Sequence, residues 1–143
     1  TTQAIAEAIA AKKTAGTRTY GTTSYTTYDQ YGIANIINFY RPTTATISIE
    51  VSLTALTGYL STTADLIKAA LVAYIATLDI GDDVLITKLY TPANLDNIAL
   101  TNTYNVTQIR IKKNAGSFGT SNITLAFNEI AQTALADVTL VVV

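Results

Sequence analysis

The sequence contains no histidine and no cysteine among its 143 residues. The absence of histidine removes the usual general base and the commonest metal ligand of proteins. The absence of cysteine excludes disulfides and thiolate metal sites. Together these absences argue against an enzyme, and the sequence gives no reason to assign a catalytic, cofactor-binding or metal-binding residue.

Charge is also scarce, because charged residues make up 13% of the chain and the net charge is −1. No basic block is present, so we expect no binding to nucleic acid. The longest apolar run near the C-terminus, residues 138–143, is far shorter than the roughly 20 residues that span a bilayer, so we expect no membrane insertion. Hydrophobic residues nevertheless make up 49% of the chain, which predicts a folded protein.

Residues 62–90 predict a helical layer around which the rest of the chain is organised. An apolar stripe recurs at helical spacing in its first part and comprises Ile67, Leu71, Tyr74, Ile75 and Leu78. We expect Thr62 to be the N-cap of this helix, with Asp65 three residues later in a variant of the capping box.

A second, shorter helix is predicted after a corner at Gly81, a position that favours a left-handed backbone conformation. We expect Asp82 or Asp83 to cap this second helix. We expect Pro92 to end it, because the residue before a proline disfavours helix.

Residues 44–54 alternate between apolar and polar side chains, which is typical of a strand with one buried face. Residues 104–112 and 137–143 are also predicted as strands, and a right-handed crossover through the helical pair would place one or the other of them next to residues 44–54. The sequence therefore predicts an α+β fold in which a small antiparallel sheet carries a helical pair on one face.

The N-terminal part is predicted as a short helix over residues 3–13, followed by a β-hairpin over residues 18–40. Its turn lies at residues 29–32, where Asp is first and Gly is last. The Arg41-Pro42 break divides the chain into two parts. We expect an N-terminal helix and hairpin extension over residues 1–42 and an α+β C-terminal domain over residues 43–143.

Two short patterns are interpreted as structural features and not as ligand-binding sites. The acidic cluster of Asp79, Asp82 and Asp83 lacks the spacing of a calcium loop, so capping and solubility are the expected roles. Gly116 and Gly119 precede an apolar extended run rather than a helix, which favours a hairpin loop over a phosphate-binding loop.

Tyrosines are the most informative feature of the predicted hairpin. Tyrosine supplies a large contact area at low entropic cost and is enriched at interfaces. The hairpin has weak inside/outside alternation, and a two-stranded ribbon is marginal alone. Our hypothesis is burial against another chain, with an ordinary Tyr/Thr-rich strand pair as the open alternative. The candidate interface residues are Tyr20, Tyr25, Tyr28, Tyr31 and Tyr40.

Four stretches in order resemble one family. They are AIAAKKTAGTRTYG at residues 8–21, INFYRPTTATISIEVSL at 37–53, IKAALVAYIATLDIGDDVLITKLY at 67–90 and NITLAFNEIAQTALADVTLVVV at 122–143. With them the chain resembles the C-terminal part of the baseplate J-like proteins of contractile phage tails and prophages, relatives of the Mu-type baseplate wedge protein. One departure is Ala10, which stands where that family often has an aromatic residue.

The resemblance implies a non-enzymatic structural protein of the virion tail baseplate, made in the bacterial host cytoplasm. Such a protein joins wedge subunits around the hub and helps transmit the contraction trigger. Its partners are copies of itself and other wedge or hub proteins, with no small-molecule substrate and no cofactor. Family members are longer than this chain, so the missing start methionine fits a C-terminal fragment.

The resemblance carries over no site residue, because the functional residues of the family are interface surfaces. A secreted or surface-displayed adhesion or surface-layer module remains the alternative. Thr/Tyr-rich, Cys-free chains of low charge also suit bacterial surface layers.

Overall fold

The chain divides after Pro42 into an N-terminal unit, Thr1–Pro42, and a C-terminal unit, Thr43–Val143. The computed structural model describes residues 1–95 and 98–143. Helices and strands occur in both units, and the α+β class predicted from the sequence is confirmed.

The N-terminal unit packs one helix against one hairpin. Helix α1 (Thr2–Lys12) precedes strands β1 (Thr23–Tyr28) and β2 (Ala34–Phe39), which pair antiparallel. The hydroxyl of Thr1 caps the helix by accepting a hydrogen bond from the backbone of Ala4. The small core of this unit consists of Ala6, Ile37 and Phe39, with Ile9, Ala10 and Tyr25 packed against it.

Helix α1 gives the hairpin two distinct faces, although apolar and polar residues alternate only weakly along the hairpin sequence. Thr27, Ile37 and Phe39 are buried, whereas Tyr28 and Ile36 are exposed. The fold therefore distinguishes two faces of the hairpin that the sequence pattern distinguishes only weakly. Only one face of the hairpin can lie against α1, so the side chains on that face are buried whatever their polarity.

The C-terminal unit is built on strand β3 (Thr43–Ala55), with β4 (Tyr104–Lys113), β5 (Glu129–Gln132) and β6 (Val138–Val142) beside it. The alternation predicted for β3 is confirmed. Its buried side chains point towards one core and comprise Ala45, Ile47, Ile49, Val51 and Leu53.

The sheet is mixed, which corrects the prediction of an antiparallel sheet. Strand β3 pairs antiparallel with β4 but parallel with β5 and β6. Strands β5 and β6 lie along the edge of β3 opposite β4, separated by the 3-10 turn Leu135–Asp137. Strand β4 ends beside the start of β3, where Lys113 pairs with Ile47, and β5 begins at that same end, where Glu129 pairs with Thr43, so β5 runs in the direction of β3.

The helices of this unit are α2 (Ser61–Ile75), α3 (Ile86–Ala93) and the short α4 (Ile98–Thr101). The apolar stripe predicted for α2 supplies Ile67, Leu71 and Ile75 to the core. The capping prediction for Thr62 is wrong. Helix α2 follows Leu60, and the N–H of Thr63 donates to the carbonyl oxygen of Leu60 at 2.9 Å instead.

The predicted caps and end of the second helix are also corrected. Helix α3 begins at Ile86, whose N–H donates to Oδ1 of Asn122 at 3.0 Å. A residue 36 positions away therefore supplies the cap, which no local pattern can reveal. Pro92 lies inside α3, which ends one residue later at Ala93.

The left-handed conformation predicted for Gly81 is present, with φ of +84°. Helix α2 nevertheless ends earlier, at Ile75. The hydroxyl of Thr77 donates to the carbonyl oxygen of Tyr74 at 2.7 Å, a local bond of the kind that competes with helix continuation.

Candidate interaction surface

The hairpin of the N-terminal unit separates the candidate tyrosines. Tyr28 and Tyr31 lie at its tip and are exposed, whereas Tyr25 is half-buried on the face that packs on α1. Tyr20 precedes β1 and Tyr40 follows β2, which places both at the open end of the ribbon. The structure therefore brings only Tyr28 and Tyr31 to the tip together.

The tip is held by hydrogen bonds that backbone N–H groups donate to Asp29. Oδ1 of Asp29 accepts the N–H groups of Tyr31 at 2.8 Å and of Ile33 at 2.9 Å. The N–H of Gly32 donates to the carbonyl oxygen of Asp29 at 3.0 Å, and Gly32 has φ of +75°. Asp first and Gly last thus act as the turn chemistry predicts.

The hairpin presents apolar side chains to solvent at its turn and in the adjoining ends of its strands. Tyr28, Tyr31, Ile33 and Ile36 are each more than 60% exposed, and we call these four residues the hairpin patch. The tyrosine pattern alone misses the two isoleucines. The period of a strand could have located Ile36, because its neighbour Ile37 is buried and successive side chains face opposite ways.

The open end of the hairpin is held by the segment before β1. The N–H of Asn38 donates to the hydroxyl of Thr19 at 2.8 Å. Gly21 lies against the backbone of Phe39, where an added Cβ would be 2.0 Å from its carbonyl carbon. The guanidinium of Arg41 lies 5.8 Å from the ring centre of Phe39. These contacts fix the base of the ribbon while the tip stays exposed.

A groove of about 550 Å³ lies beside the hairpin and includes Glu7, Lys13, Asp29 and Asn35 in its wall. The Asp29 carboxylate in it already accepts the two N–H groups of the turn. Much of the remaining wall is alanine and glycine from the end of α1 and the segment after it. The wall of the groove thus combines charged and polar side chains with small residues.

The acidic corner of the C-terminal unit uses its carboxylates in backbone contacts. Asp82 accepts the N–H of Asp79 at 3.0 Å, and Asp83 accepts the N–H of Leu125 at 2.9 Å. Within residues 1–95 and 98–143, no group of three or more acidic residues is close enough to hold a metal ion. Among the helices of these residues, none has the length and hydropathy needed to cross a membrane.

Two ion pairs brace the sheet of the C-terminal unit. Arg110 binds Glu50 across β3 and β4, and Nζ of Lys113 lies 2.5 Å from Oε2 of Glu129. The N–H of Ala126 and then Lys113 donate to Glu129 and hold the pKa of its carboxyl below the ordinary value. These charges are paired within the fold, which makes them structural.

Two tyrosines contact each other near the start of α2, where Tyr104 is buried and Tyr59 is half-buried. Tyr59 and Tyr104 contact edge to face, with ring centres 6.2 Å apart, and burial raises the pKa of both phenols. The hydroxyl of Tyr104 donates to the carbonyl oxygen of Ala93 at 2.9 Å. In the described part of the chain, the buried hydroxyl of Tyr59 has no hydrogen-bond partner. The pair therefore packs in and against the core of the C-terminal unit.

The chain was also compared with known proteins. Neither a protein-family model nor a curated protein sequence matches it. The resemblance to baseplate J-like proteins therefore stays a prediction from the sequence.

Proposed function

We propose that this chain is a structural component of a contractile phage or prophage tail baseplate. In this role it joins wedge subunits around the hub, contacts copies of itself and other tail proteins, and helps transmit the contraction trigger. The proposal combines the sequence resemblance with the exposed hairpin patch. It assigns no catalysed reaction to the chain.

The observation that carries the proposal is the hairpin patch. The Asp29 carboxylate accepts the N–H groups of Tyr31 and Ile33 and so holds the turn in which both side chains are exposed to water. Rigid, exposed aromatic and aliphatic side chains lose little entropy when a partner covers them, so they favour association. This is the surface expected of a subunit that assembles.

The test is to follow the chain in cells that produce the tail particles. The native gene is replaced by a gene that encodes the Ile36→Ser variant. The amount of the protein in purified particles is then measured by quantitative mass spectrometry. We expect wild-type protein in the particles and a clear loss of incorporation for Ile36→Ser, because the substitution removes an apolar contact at the patch.

Ile80→Ser is the matched control, since Ile80 is also an exposed isoleucine but lies in the C-terminal unit. Its incorporation should equal that of the wild type. Wild-type protein found on the cell surface or in the medium, and absent from particles, would overturn the proposal and favour the adhesion or surface-layer alternative.

A further inference from the structure

Strand β6 forms an open edge of the C-terminal sheet. It pairs with β3, and in residues 1–95 and 98–143 no strand pairs with its other side. The N–H of Val143 donates to the carbonyl oxygen of Leu53 at 2.9 Å, so odd-numbered residues of β6 face β3. Because backbone groups alternate along a strand, those of Leu140 and Val142 point away from the sheet.

The other edge strands of this sheet are covered by contrast. On β4, Ile111 exchanges two backbone hydrogen bonds with Gly119, and the N–H of Ile109 donates to the hydroxyl of Tyr90. On β5, the carbonyl oxygen of Glu129 accepts the N–H of Gly81 at 2.8 Å. Proteins usually block edge strands with charge, proline or a covering segment.

Strand β6 has none of these blocking features. Its sequence is VTLVV, without charge or proline, and Val141 and Val142 are 37% and 53% exposed. A groove of about 590 Å³ is lined by Leu66 of α2 and by Leu135 of the turn that precedes β6, with Asp65 and Lys68 also in its wall. Because this edge carries no charge, an uncharged strand fits it as an occupant.

We infer that β6 pairs with β6 of a second copy of this chain, antiparallel about a two-fold axis at Val141. In this register Leu140 lies opposite Val142 of the other copy, and the outward backbone groups of both residues form mutual hydrogen bonds. The two copies of β6 are thus complementary in hydrogen bonding. Because the strand carries no charge, the pairing brings no like charges together. The two sheets become one continuous sheet.

The inference rests on the proposed assembling role, because it names a surface through which two copies join. It can nevertheless be tested on the purified chain alone, without tail particles. Failure of the edge pairing and failure of the baseplate role are therefore separate results.

The test uses single cysteines, since the natural chain has none. In the inferred register Val141 faces itself as a non-hydrogen-bonded pair, with Cα atoms about 4.5 Å apart, a separation that permits a disulfide. The full chain carrying Val141→Cys is oxidised with glutathione disulfide, and covalent dimer is measured on non-reducing gels. We expect rapid cross-linking. Its rate should rise with protein concentration until all of the chain is dimeric and should then stay constant.

Thr139→Cys is the control, because residue 139 faces position 143 of the other copy and not itself. We expect its cross-linking to be at least about tenfold slower, since its two sulfurs are held apart by more than disulfide geometry allows. Equal rates for the two variants, or no dimer from either, would overturn the inference.

A second variant tests the hydrogen bonds without a cross-link. Val142→Pro removes an N–H that points away from β3, a position where an edge strand tolerates proline. Sedimentation equilibrium should show a dimer of wild-type chain and about a tenfold or greater loss of affinity for the variant, with unchanged circular dichroism. A wild-type chain that stays monomeric at millimolar concentration contradicts the inference.

Discussion

Oδ1 of Asp29 lies 2.8 Å from the backbone nitrogen of Tyr31 and accepts its hydrogen bond. This contact, together with the bond from Ile33, holds the hairpin tip in one conformation. The positions of Tyr31 and Ile33 in the hairpin patch therefore depend in part on the Asp29 side chain.

Asp29→Ala should destabilise the hairpin by about 1–3 kcal/mol, because two N–H groups lose a charged acceptor. Hydrogen exchange of the β1 and β2 amides, read by mass spectrometry, should speed up in this variant. Asp79→Ala, which removes a carboxylate from the C-terminal unit, is the control and should leave hairpin exchange unchanged. Equal protection of the hairpin in Asp29→Ala and wild type would contradict the role given to Asp29.

Gly21→Ala should disrupt the N-terminal unit. Gly21 has φ of +154°, and an added Cβ would meet the backbone of Phe39 at 2.0 Å. We expect a loss of about 3 kcal/mol or more, seen as loss of the hairpin signals in NMR spectra.

Gly16→Ala is the matched control for this glycine. Gly16 also has positive φ, +79°, but nothing lies within 4 Å of an added Cβ. It should cost only the strain of the left-handed conformation, about 1–2 kcal/mol. If both variants lose equal stability, close approach to Phe39 is not the reason that glycine is needed at position 21.

Leu71→Ala should destabilise the C-terminal unit by about 2–5 kcal/mol, because Leu71 is fully buried and a cavity would remain. Leu66→Ala, on the exposed side of the same helix, makes the same chemical change at a residue that is 48% exposed. It should stay within about 0.5 kcal/mol of wild type. Urea unfolding followed by circular dichroism measures both, and similar losses would refute the assigned burial.

Acid should weaken the C-terminal unit through Glu129. The pKa of Glu129 is lower in the folded chain than in the unfolded chain. Its contribution to the free energy of unfolding is therefore fully present above the unfolded pKa, about 4.3. That contribution is lost as the pH falls through the folded pKa. Glu129→Gln should flatten this part of the plot of unfolding free energy against pH, measured by urea titration. A curve of unchanged slope would rule out the role of this carboxylate.

The strands with clear local signals could be predicted from the sequence. The alternation from Ile47 to Leu53 located β3, and Asp29 with Gly32 located the hairpin turn. These features depend on period and turn chemistry, which neighbouring residues encode.

The corrected features depend on contacts between distant residues. Asn122 caps α3 from another loop, so Asp82 and Asp83 are not needed there. The direction of β5 follows from the path of the chain after β4, not from its four residues. Ile36 is exposed because α1 covers the opposite face, a choice that tyrosine content does not encode.

The central claim is that the hairpin patch is covered by a neighbouring subunit in the assembled particle. Nitration by tetranitromethane, mapped by mass spectrometry, tests it directly in the isolated chain and in purified tail particles. We predict rapid nitration of Tyr28 and Tyr31 in the isolated chain and protection of both in particles, with buried Tyr104 protected in each state. Equal nitration of Tyr28 and Tyr31 in the two states would contradict the claim.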